Sequence, residues 1–472
     1  MSEEREPMFD DNDIADSVKR FEQMIRNNAN AYFDVHEFEN IIDYYIDINR
    51  FNDALKASEI ALEQHPNAGP IHIKRIQVLI NKGEPVQALK LLAQIEQIES
   101  SNSDFYILKG TALAQMNKTK DAVRFFDMAL QLTYENKDDV LYDIALTFEH
   151  LSNYKTALLY LKQANETNSR NLSVLYDLAY CYEKLEDDDK CIAYYEKYLD
   201  IEPFSENVWY NLGTVYQRKE NYEKAIEAYD FALAINEKYS SAYFNKANAL
   251  ASSGSYSNAI TVFNEFLYHE PENLDALYYI GESFERLHQY EHAQHYYQKV
   301  LDAEPEYADA WFGLGVVSYH KEEYKESIKY IKKAIHIDSF NGEYWYSLGN
   351  AHMKSYENIL AAKAFRKAIE IDPYDFESWL SLADLIMKQN KLLEAISLLN
   401  EAYHYNFDIA QVNYRLAAYH FINKNQELGS KFLEKALGQD FDAHHEMLTA
   451  YPEASENETI RQLINKYKRQ KP

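Results

Sequence analysis

The stretch VWYNLGTVYQRKENYEKAIEAYDFAL, residues 208–233, contains two runs of apolar residues at helical spacing. The polar residues Lys219, Glu220 and Asn221 separate the two runs. Apolar residues that recur three and four positions apart form one face of an α-helix. The stretch therefore predicts two antiparallel helices joined by a short turn. Neither helix can bury its apolar face alone, so we expect such pairs to pack on further pairs.

A slot occupied by small residues recurs along the chain every 34 residues, with one step of 35 between Ala122 and Ala157. The slot holds Ala54, Ala88, Ala122, Ala157, Cys191, Ala225, Ala259, Ala293, Ser327, Ala361, Ala395 and Gly429. Stacked structural units impose a fixed spacing on their tightest packing positions. The spacing therefore predicts an all-α fold of tandem helix pairs.

Trp209, Leu212, Gly213 and Tyr216, followed by Ala225, resemble the signature of the tetratricopeptide repeat, which has a period of 34 residues. The resemblance implies a right-handed α–α superhelix, a solenoid of tandem helix-turn-helix repeats whose function is to bind other proteins. In register it covers residues 35–443 as twelve units in one continuous solenoid. We expect residues 1–34 to form an acidic segment with a capping helix, and residues 444–472 to form a second capping helix.

The chain carries a formal net charge of −28 and has a sequence pI near 5.0. This charge repels nucleic acid and anionic lipid, so we expect no nucleic acid partner. The N-terminus lacks the basic start and apolar core of a signal peptide, and no segment has 18 uninterrupted apolar residues. Only two cysteines are present, which suits a reducing compartment. These features predict a cytoplasmic protein without membrane insertion.

The sequence shows no pattern of catalytic residues, and we predict that the chain is not an enzyme and uses no cofactor. It contains no Gly-rich phosphate loop and no Ser/His/Asp or Cys/His arrangement. The segments outside the repeats, 34 and 29 residues long, are shorter than an ordinary catalytic domain. His288, His292 and His295 have a spacing that metal ligands also use. Their placement in a turn and on a second helix favours ordinary surface residues, so we predict no metal site.

One slot on the first helix of each pair, directly after the Trp slot of Trp209, is aromatic in seven consecutive units. This ladder slot holds Tyr142, Tyr176, Tyr210, Phe244, Tyr278, Phe312 and Tyr346, and nearby slots add Asn211, Asn245, Asn248 and Asn350. The resemblance implies that the ladder slot faces the concave wall. Aromatic rings offer stiff contact area, and Asn amides can pair with a peptide backbone. We predict that these residues bind an extended peptide and face solvent until it arrives.

Charged residues in the slots assigned to the inner wall are mostly acidic. The acidic set is Glu39, Asp43, Asp47, Asp139, Asp143, Glu149, Asp177, Glu183, Asp275, Glu282, Glu285 and Asp384; the basic set is Lys74, Lys184, Arg218, Arg286, Lys354, Lys388 and Arg415. An acidic groove favours neutral-to-basic polypeptides. One subgroup of the family grips the C-terminal tails of chaperones with Lys or Arg in the ladder slot. No unit here has either residue there, which argues against chaperone tails as partners.

The sequence is compatible with two functions. The first is an adaptor that binds extended neutral-to-basic polypeptide segments in an acidic, aromatic groove. The second is a structural scaffold that joins folded partners, or associates with itself, through outer or terminal surfaces. The sequence does not name a partner, a pathway or an oligomeric state.

Overall fold

The computed structural model describes residues 11–27, 29–405, 408–452 and 456–468. Within these residues the secondary structure is helical and contains no strand. The chain divides into two compact units, Met1–Glu237 and Lys238–Pro472, and each is described by itself. The all-α fold of helix pairs is confirmed.

The first unit consists of a leading helix followed by helix pairs. Its helices are α1 (Asp11–Arg26), α2 (Val35–Asp47), α3 (Phe51–Gln64), α4 (Gly69–Asn81), α5 (Pro85–Ile95), α6 (Ser103–Gln115), α7 (Thr119–Leu132), α8 (Lys137–His150), α9 (Tyr154–Thr167), α10 (Leu172–Lys184), α11 (Asp188–Leu199), α12 (Glu206–Arg218) and α13 (Tyr222–Ile235). The even-numbered helix of each pair is its first helix, and the next helix packs against it.

Among its described residues, the second unit continues the same alternation and ends in two helices outside it. Its helices are α14 (Ser240–Ser252), α15 (Tyr256–His269), α16 (Leu274–Arg286), α17 (Tyr290–Ala303), α18 (Ala308–His320), α19 (Tyr324–Ile337), α20 (Gly342–Lys354), α21 (Asn358–Ile371), α22 (Phe376–Lys388), α23 (Leu392–Ala402), α24 (Ala410–Ile422), α25 (Gln426–Gln439), α26 (His444–Ala450) and α27 (Glu458–Lys468). A 3₁₀ turn, Tyr403–Tyr405, follows α23.

The small-residue slot lies at the closest approach between helices, as its spacing predicts. Every residue of that slot from Ala54 to Gly429 is buried. On the facing first helix, a Cβ added at Gly213 would lie 2.6 Å from Cε1 of Tyr229, and one at Gly349 would lie 2.4 Å from Cε1 of Phe365. Real Cβ atoms do not approach this closely, so these two positions require glycine for the aromatic ring to fit.

The turn inside each helix pair repeats in its backbone geometry as well as in its sequence. One residue per turn has a positive φ, close to 60° except at the two glycines, where it is about 80°. These residues are Asn49, Gly83, Asn117, Ser152, Glu186, Glu220, Gly254, His288, Glu322, Tyr356, Asn390 and Lys424. A left-handed residue ends a helix and reverses the chain. Their spacing is 34 residues with one step of 35, Asn117 to Ser152, which matches the period of the small-residue slot.

Helices outside the pairs lie at both ends of the described chain. In α1, Val18, Phe21 and Met24 are buried in a cluster with Phe38 of α2. In α27, Ile460 is buried in a different cluster with Leu433 of α25, and the partly buried Leu463, Ile464 and Tyr467 pack against that second cluster. The acidic residues 1–10 and the last cationic residues, Arg469 and Lys471, fall outside the described residues.

Candidate peptide-binding surface

The predicted site residues lie on the first helices of their pairs, on what we name the first-helix surface: the side chains at the ladder slot and at the slots one and four residues after it. Neighbouring first helices contact one another within each unit, for example α6 with α8, α16 with α18 and α18 with α20. The surface is therefore built from consecutive helices that lie side by side. A chain laid across these helices would meet equivalent slots in turn.

The ladder rings are half-buried, so each faces solvent only in part, less than the sequence predicts. Most of them pack on the buried aromatic residue of the second helix in the same pair. The ring centroids of these pairs are 6.0 Å apart for Tyr176 and Tyr195, 5.9 Å for Tyr210 and Tyr229, 5.7 Å for Phe244 and Phe263, 5.7 Å for Tyr278 and Tyr297, and 5.9 Å for Tyr346 and Phe365. Burying an aromatic face stabilises the fold, so each ring already has a structural role.

Two ladder residues have different neighbours. In the pair that contains Phe312, the buried residue of the second helix is Ile331, which is not aromatic. The Phe312 ring packs instead on Tyr344 of the next pair, with the ring centroids 4.7 Å apart. The hydroxyl of Tyr142 donates a hydrogen bond of 2.7 Å to Oδ2 of Asp177, also in the next pair. The ladder slot therefore links neighbouring repeats, a contact that the spacing within a single pair cannot reveal.

The asparagines of the surface differ in what they contact. Nδ2 of Asn211 donates to the hydroxyl of Tyr176 at 3.1 Å, so this amide already has a partner within the protein. Asn245 is half-buried. Asn248 and Asn350, one helical turn further along, each line a pocket between two neighbouring first helices.

The pocket at Asn248 has a volume of about 310 Å³ and lies between α14 and α16. Its wall includes Tyr279, Glu282 and Arg286, so an amide, an aromatic ring and both signs of charge meet there. The pocket at Asn350 has a volume of about 170 Å³ between α18 and α20, and its wall includes Val316 and Tyr319. Both volumes suit single side chains of a bound segment.

Family models of the tetratricopeptide repeat match residues 172–205, 206–239, 240–273, 278–342, 342–375 and 364–397. The chain belongs to the tetratricopeptide repeat family. The repeats of this family bind other proteins, so the chain has a role in protein–protein interaction. No curated protein matches the sequence.

Solved structures of tetratricopeptide repeat type share the fold over part of the chain. MamA from Desulfovibrio magneticus RS-1 is 24% identical, with 36% of this chain and 96% of that chain covered and a TM-score of 0.33. YrrB, described as a TPR protein with an unusual peptide-binding site, is 21% identical, with 39% of this chain and 95% of that chain covered and a TM-score of 0.32. These likenesses concern the fold alone.

In the second unit, carboxylates from successive tetratricopeptide repeats lie close to one another. Burial raises the pKa of Glu285 to about 7, although its Oε2 accepts a 2.9 Å hydrogen bond from the Tyr297 hydroxyl. Burial also raises the pKa of Glu343; Asp309 and Glu282 raise it further, and the Arg286 guanidinium opposes them. The first helices α16, α18 and α20 thus concentrate negative charge that a cationic ligand would stabilise.

The first unit has a similar acidic cluster on α8 and α10. Burial and the neighbouring Asp177 raise the pKa of Glu149 to about 7. The pKa of Asp143 is raised by burial and by Asp139, and that of Asp177 is raised by burial. Each of these groups would ionise more readily beside a bound cation.

Other predicted inner-wall carboxylates are already paired with cations of the chain. Asp43 accepts a hydrogen bond of 2.7 Å from Nζ of Lys74. Asp384 accepts one of 3.2 Å from Nε of Arg415 and one of 2.8 Å from the hydroxyl of Tyr419. The hydroxyl of Tyr451, in the segment after α26, also donates to Asp384. The acidic excess therefore centres on α8 and α10 in one unit and on α16 to α20 in the other.

In the part of the chain that the structure describes, no group of three or more His, Cys, Asp or Glu side chains lies together as a metal site would need. His288 lies in a turn, with Nδ1 3.0 Å from the hydroxyl of Tyr290. No described helix has the length and apolar character needed to cross a membrane.

Proposed function

We propose that this tetratricopeptide repeat protein is an adaptor that binds extended, neutral-to-basic polypeptide segments on the first-helix surface. In this proposal the protein acts in the cytoplasm, is not an enzyme, and does not serve as a receptor for chaperone tails, because no ladder slot carries the Lys or Arg that such a clamp uses. The proposal depends chiefly on the pocket at Asn248, where an amide, the Tyr279 ring and the paired charges of Glu282 and Arg286 meet between two first helices.

Helix spacing supports an extended ligand. Neighbouring packed helices lie about 8–10 Å apart, and an extended chain advances about 3.3 Å per residue. Roughly every third residue of the ligand would therefore reach an equivalent slot on the next first helix. The pockets at Asn248 and Asn350 would receive side chains, and the amides would pair with the ligand backbone.

Charge supports a neutral-to-basic ligand. A basic side chain near Glu285 would lower the pKa of this carboxylate, which burial raises to about 7, and would displace its proton. Binding should therefore strengthen between pH 6 and pH 8, as Glu285 ionises. It should weaken as salt rises, because ions screen charges over about 8 Å at physiological ionic strength.

Random decapeptides displayed on phage provide a test that does not require a known partner. Enriched peptides would be synthesised with a fluorescent label and titrated by anisotropy at low and high salt. We expect them to be unstructured and neutral or positive in net charge. Asn248→Ala and Glu282→Gln should each weaken binding about fivefold, the effect of losing one hydrogen bond or one charge in a partly wet site.

Matched controls lie on the second helix α15, where Asn264 and Glu265 are exposed. Asn264→Ala and Glu265→Gln make the same chemical changes away from the surface and should leave affinity unchanged. If the first-helix variants bind as the parent does, the proposal is wrong. Loss of binding only in second-helix variants would favour the alternative, a scaffold that joins folded partners through its outer surface.

A further inference from the structure

Another pocket lies among the second helices α11 and α13 and the first helix α12. Its volume is about 450 Å³. Trp209 and Phe231 form an aromatic wall, with ring centroids 4.4 Å apart and planes inclined by 24°. Phe231 is 45% exposed although it is a large apolar residue. An exposed aromatic wall next to a pocket is a feature of ligand sites.

Acidic side chains surround this wall. Glu196, Asp200 and Glu227 line the pocket and are exposed, and one cation, Lys224, lies 5.2 Å from the Tyr216 ring centroid. Three carboxylates against one ammonium leave the pocket negative. Among the ion pairs formed by described residues, none contains Asp200 or Glu227. The pocket therefore offers carboxylates together with an aromatic face.

The corresponding position three repeats later shows what this arrangement attracts. There Lys333 occupies the slot of Phe231, and its Nζ lies 3.6 Å from the ring centroid of Trp311. Lys329 occupies the slot of Glu227 and forms an ion pair with Glu326. The chain thus covers the Trp311 ring with a cation of its own. At Trp209 neither of these two slots holds a cation. Phe231 stands where Lys333 does, and Glu227 stands where Lys329 does.

We infer that the Trp209–Phe231 pocket binds an arginine side chain of a partner protein. A guanidinium is planar and stacks on the flat face of an aromatic ring. Its fork of N–H donors also pairs with carboxylates, which Glu227 and Asp200 supply at the rim. A lysine ammonium would gain the charge interaction without the stacking. This site is independent of the first-helix surface and would let the protein hold a folded partner while a peptide is bound elsewhere.

The probe for this site is the tripeptide acetyl-Gly-Arg-Gly-amide, with the lysine and citrulline tripeptides for comparison. Citrulline has nearly the shape of arginine without its charge. The chain has four tryptophans, so 5-fluorotryptophan labelling gives four ¹⁹F resonances, and Trp209→Phe identifies one of them. We expect the arginine tripeptide to shift the Trp209 resonance saturably and to leave Trp311 unchanged. The lysine tripeptide should bind more weakly, and citrulline should give no saturable shift.

Two exposed substitutions should change the affinity in opposite directions. Glu227→Gln removes a carboxylate and should weaken arginine binding about fivefold, whereas Lys224→Gln removes the competing cation and should strengthen it by a similar factor. Both side chains are exposed, so neither change threatens folding. Equal effects of arginine and citrulline, a shift of all four resonances together, or variants that leave the affinity unchanged would each overturn the inference.

Discussion

Glu285 lies on the first helix α16, three residues after Glu282, in a position where its ionisation is opposed. Burial raises its pKa from 4.5 to about 7. Below pH 4.5 the folded and unfolded chains both hold this proton, and the group does not affect the free energy of unfolding. Between about pH 4.5 and 7 the unfolded chain releases the proton first, so the free energy of unfolding falls as the pH rises.

Glu285→Gln should remove this pH-dependent loss of stability, because glutamine does not ionise. Relative to the parent, we expect the variant to become more stable by about 2 kcal/mol between pH 5 and pH 8, from the size of the shift. The glutamine amide oxygen can still accept the hydrogen bond from the Tyr297 hydroxyl. Urea unfolding at both pH values measures the effect, with the exposed Glu265→Gln as control. A constant difference between variant and parent at the two pH values would show that Glu285 ionises freely.

The ladder residues show what sequence can and cannot tell at this scale. The period predicted which residues share a slot on the first helices, and the structure places them there. Their burial was not predictable, because it depends on the ring in the second helix behind each one, such as Phe263 behind Phe244. The hydrogen bond of Tyr142 to Asp177 joins different repeats, and no pattern within one repeat indicates it.

Half-burial of the ladder rings predicts a stability effect. Phe244 packs on Phe263, Phe266 and Tyr279, with ring centroids 5.7, 5.2 and 5.9 Å away. Phe244→Ala should therefore lower the free energy of unfolding by about 2 kcal/mol, less than for a fully buried ring. Asn248→Ala, one turn along the same helix, should change it by less than about 0.5 kcal/mol. Chemical denaturation distinguishes them; equal stabilities would mean that the ring contributes only to binding.

At the level of the helix pair, the turn residue is under backbone strain. L residues in the left-handed region cost roughly 1–2 kcal/mol relative to their preferred conformations. Tyr356 adopts φ 62° and is 91% exposed, so its ring gains little packing in return. Gly254 adopts φ 81°, and an added Cβ there would meet nothing within 4 Å. The two positions isolate the backbone contribution from packing.

Substitutions at these two turns should therefore change the free energy of unfolding in opposite directions. Gly254→Ala should lower the free energy of unfolding by about 1 kcal/mol, and Tyr356→Asn should raise it by about 0.5 kcal/mol, since asparagine tolerates this conformation. Thermal unfolding of both variants beside the parent tests the pair. A destabilised Tyr356→Asn variant would show that the exposed ring makes a contribution that the turn geometry does not explain.

At the scale of the whole molecule, periodicity predicted the helix pairs and the short turns between them. The assignment of residues 35–443 to twelve units in one continuous solenoid stays a prediction. A constant period gives no sign of the division between Glu237 and Lys238, because every repeat has the same small-residue slot on both sides of it. The sequence also did not predict the Trp209–Phe231 pocket, because this pocket forms where second helices of neighbouring repeats meet.

Nearest-neighbour packing predicts how damage should spread through the second unit. Ala293 of α17 is fully buried in a cluster with Tyr297, Ala310 and Leu314, so it touches its own pair and the next. Ala293→Glu would place a charge in this contact, where burial without a partner costs several kcal/mol. Each pair depends on its neighbours, so we expect local unfolding of α16 to α19 while α24 to α27 keep their structure.

Limited proteolysis followed by mass spectrometry locates the unfolded segment. New cleavage sites should appear within residues 274–337, and residues 410–468 should remain as protected as in the parent. Gln294→Glu is the matched control, because it adds the same charge at the adjacent, exposed position of the same helix. Protection equal to the parent would place Ala293 outside the core. Simultaneous digestion of the whole second unit would instead show one cooperative block, because coupling limited to neighbouring pairs would leave the distant helices protected.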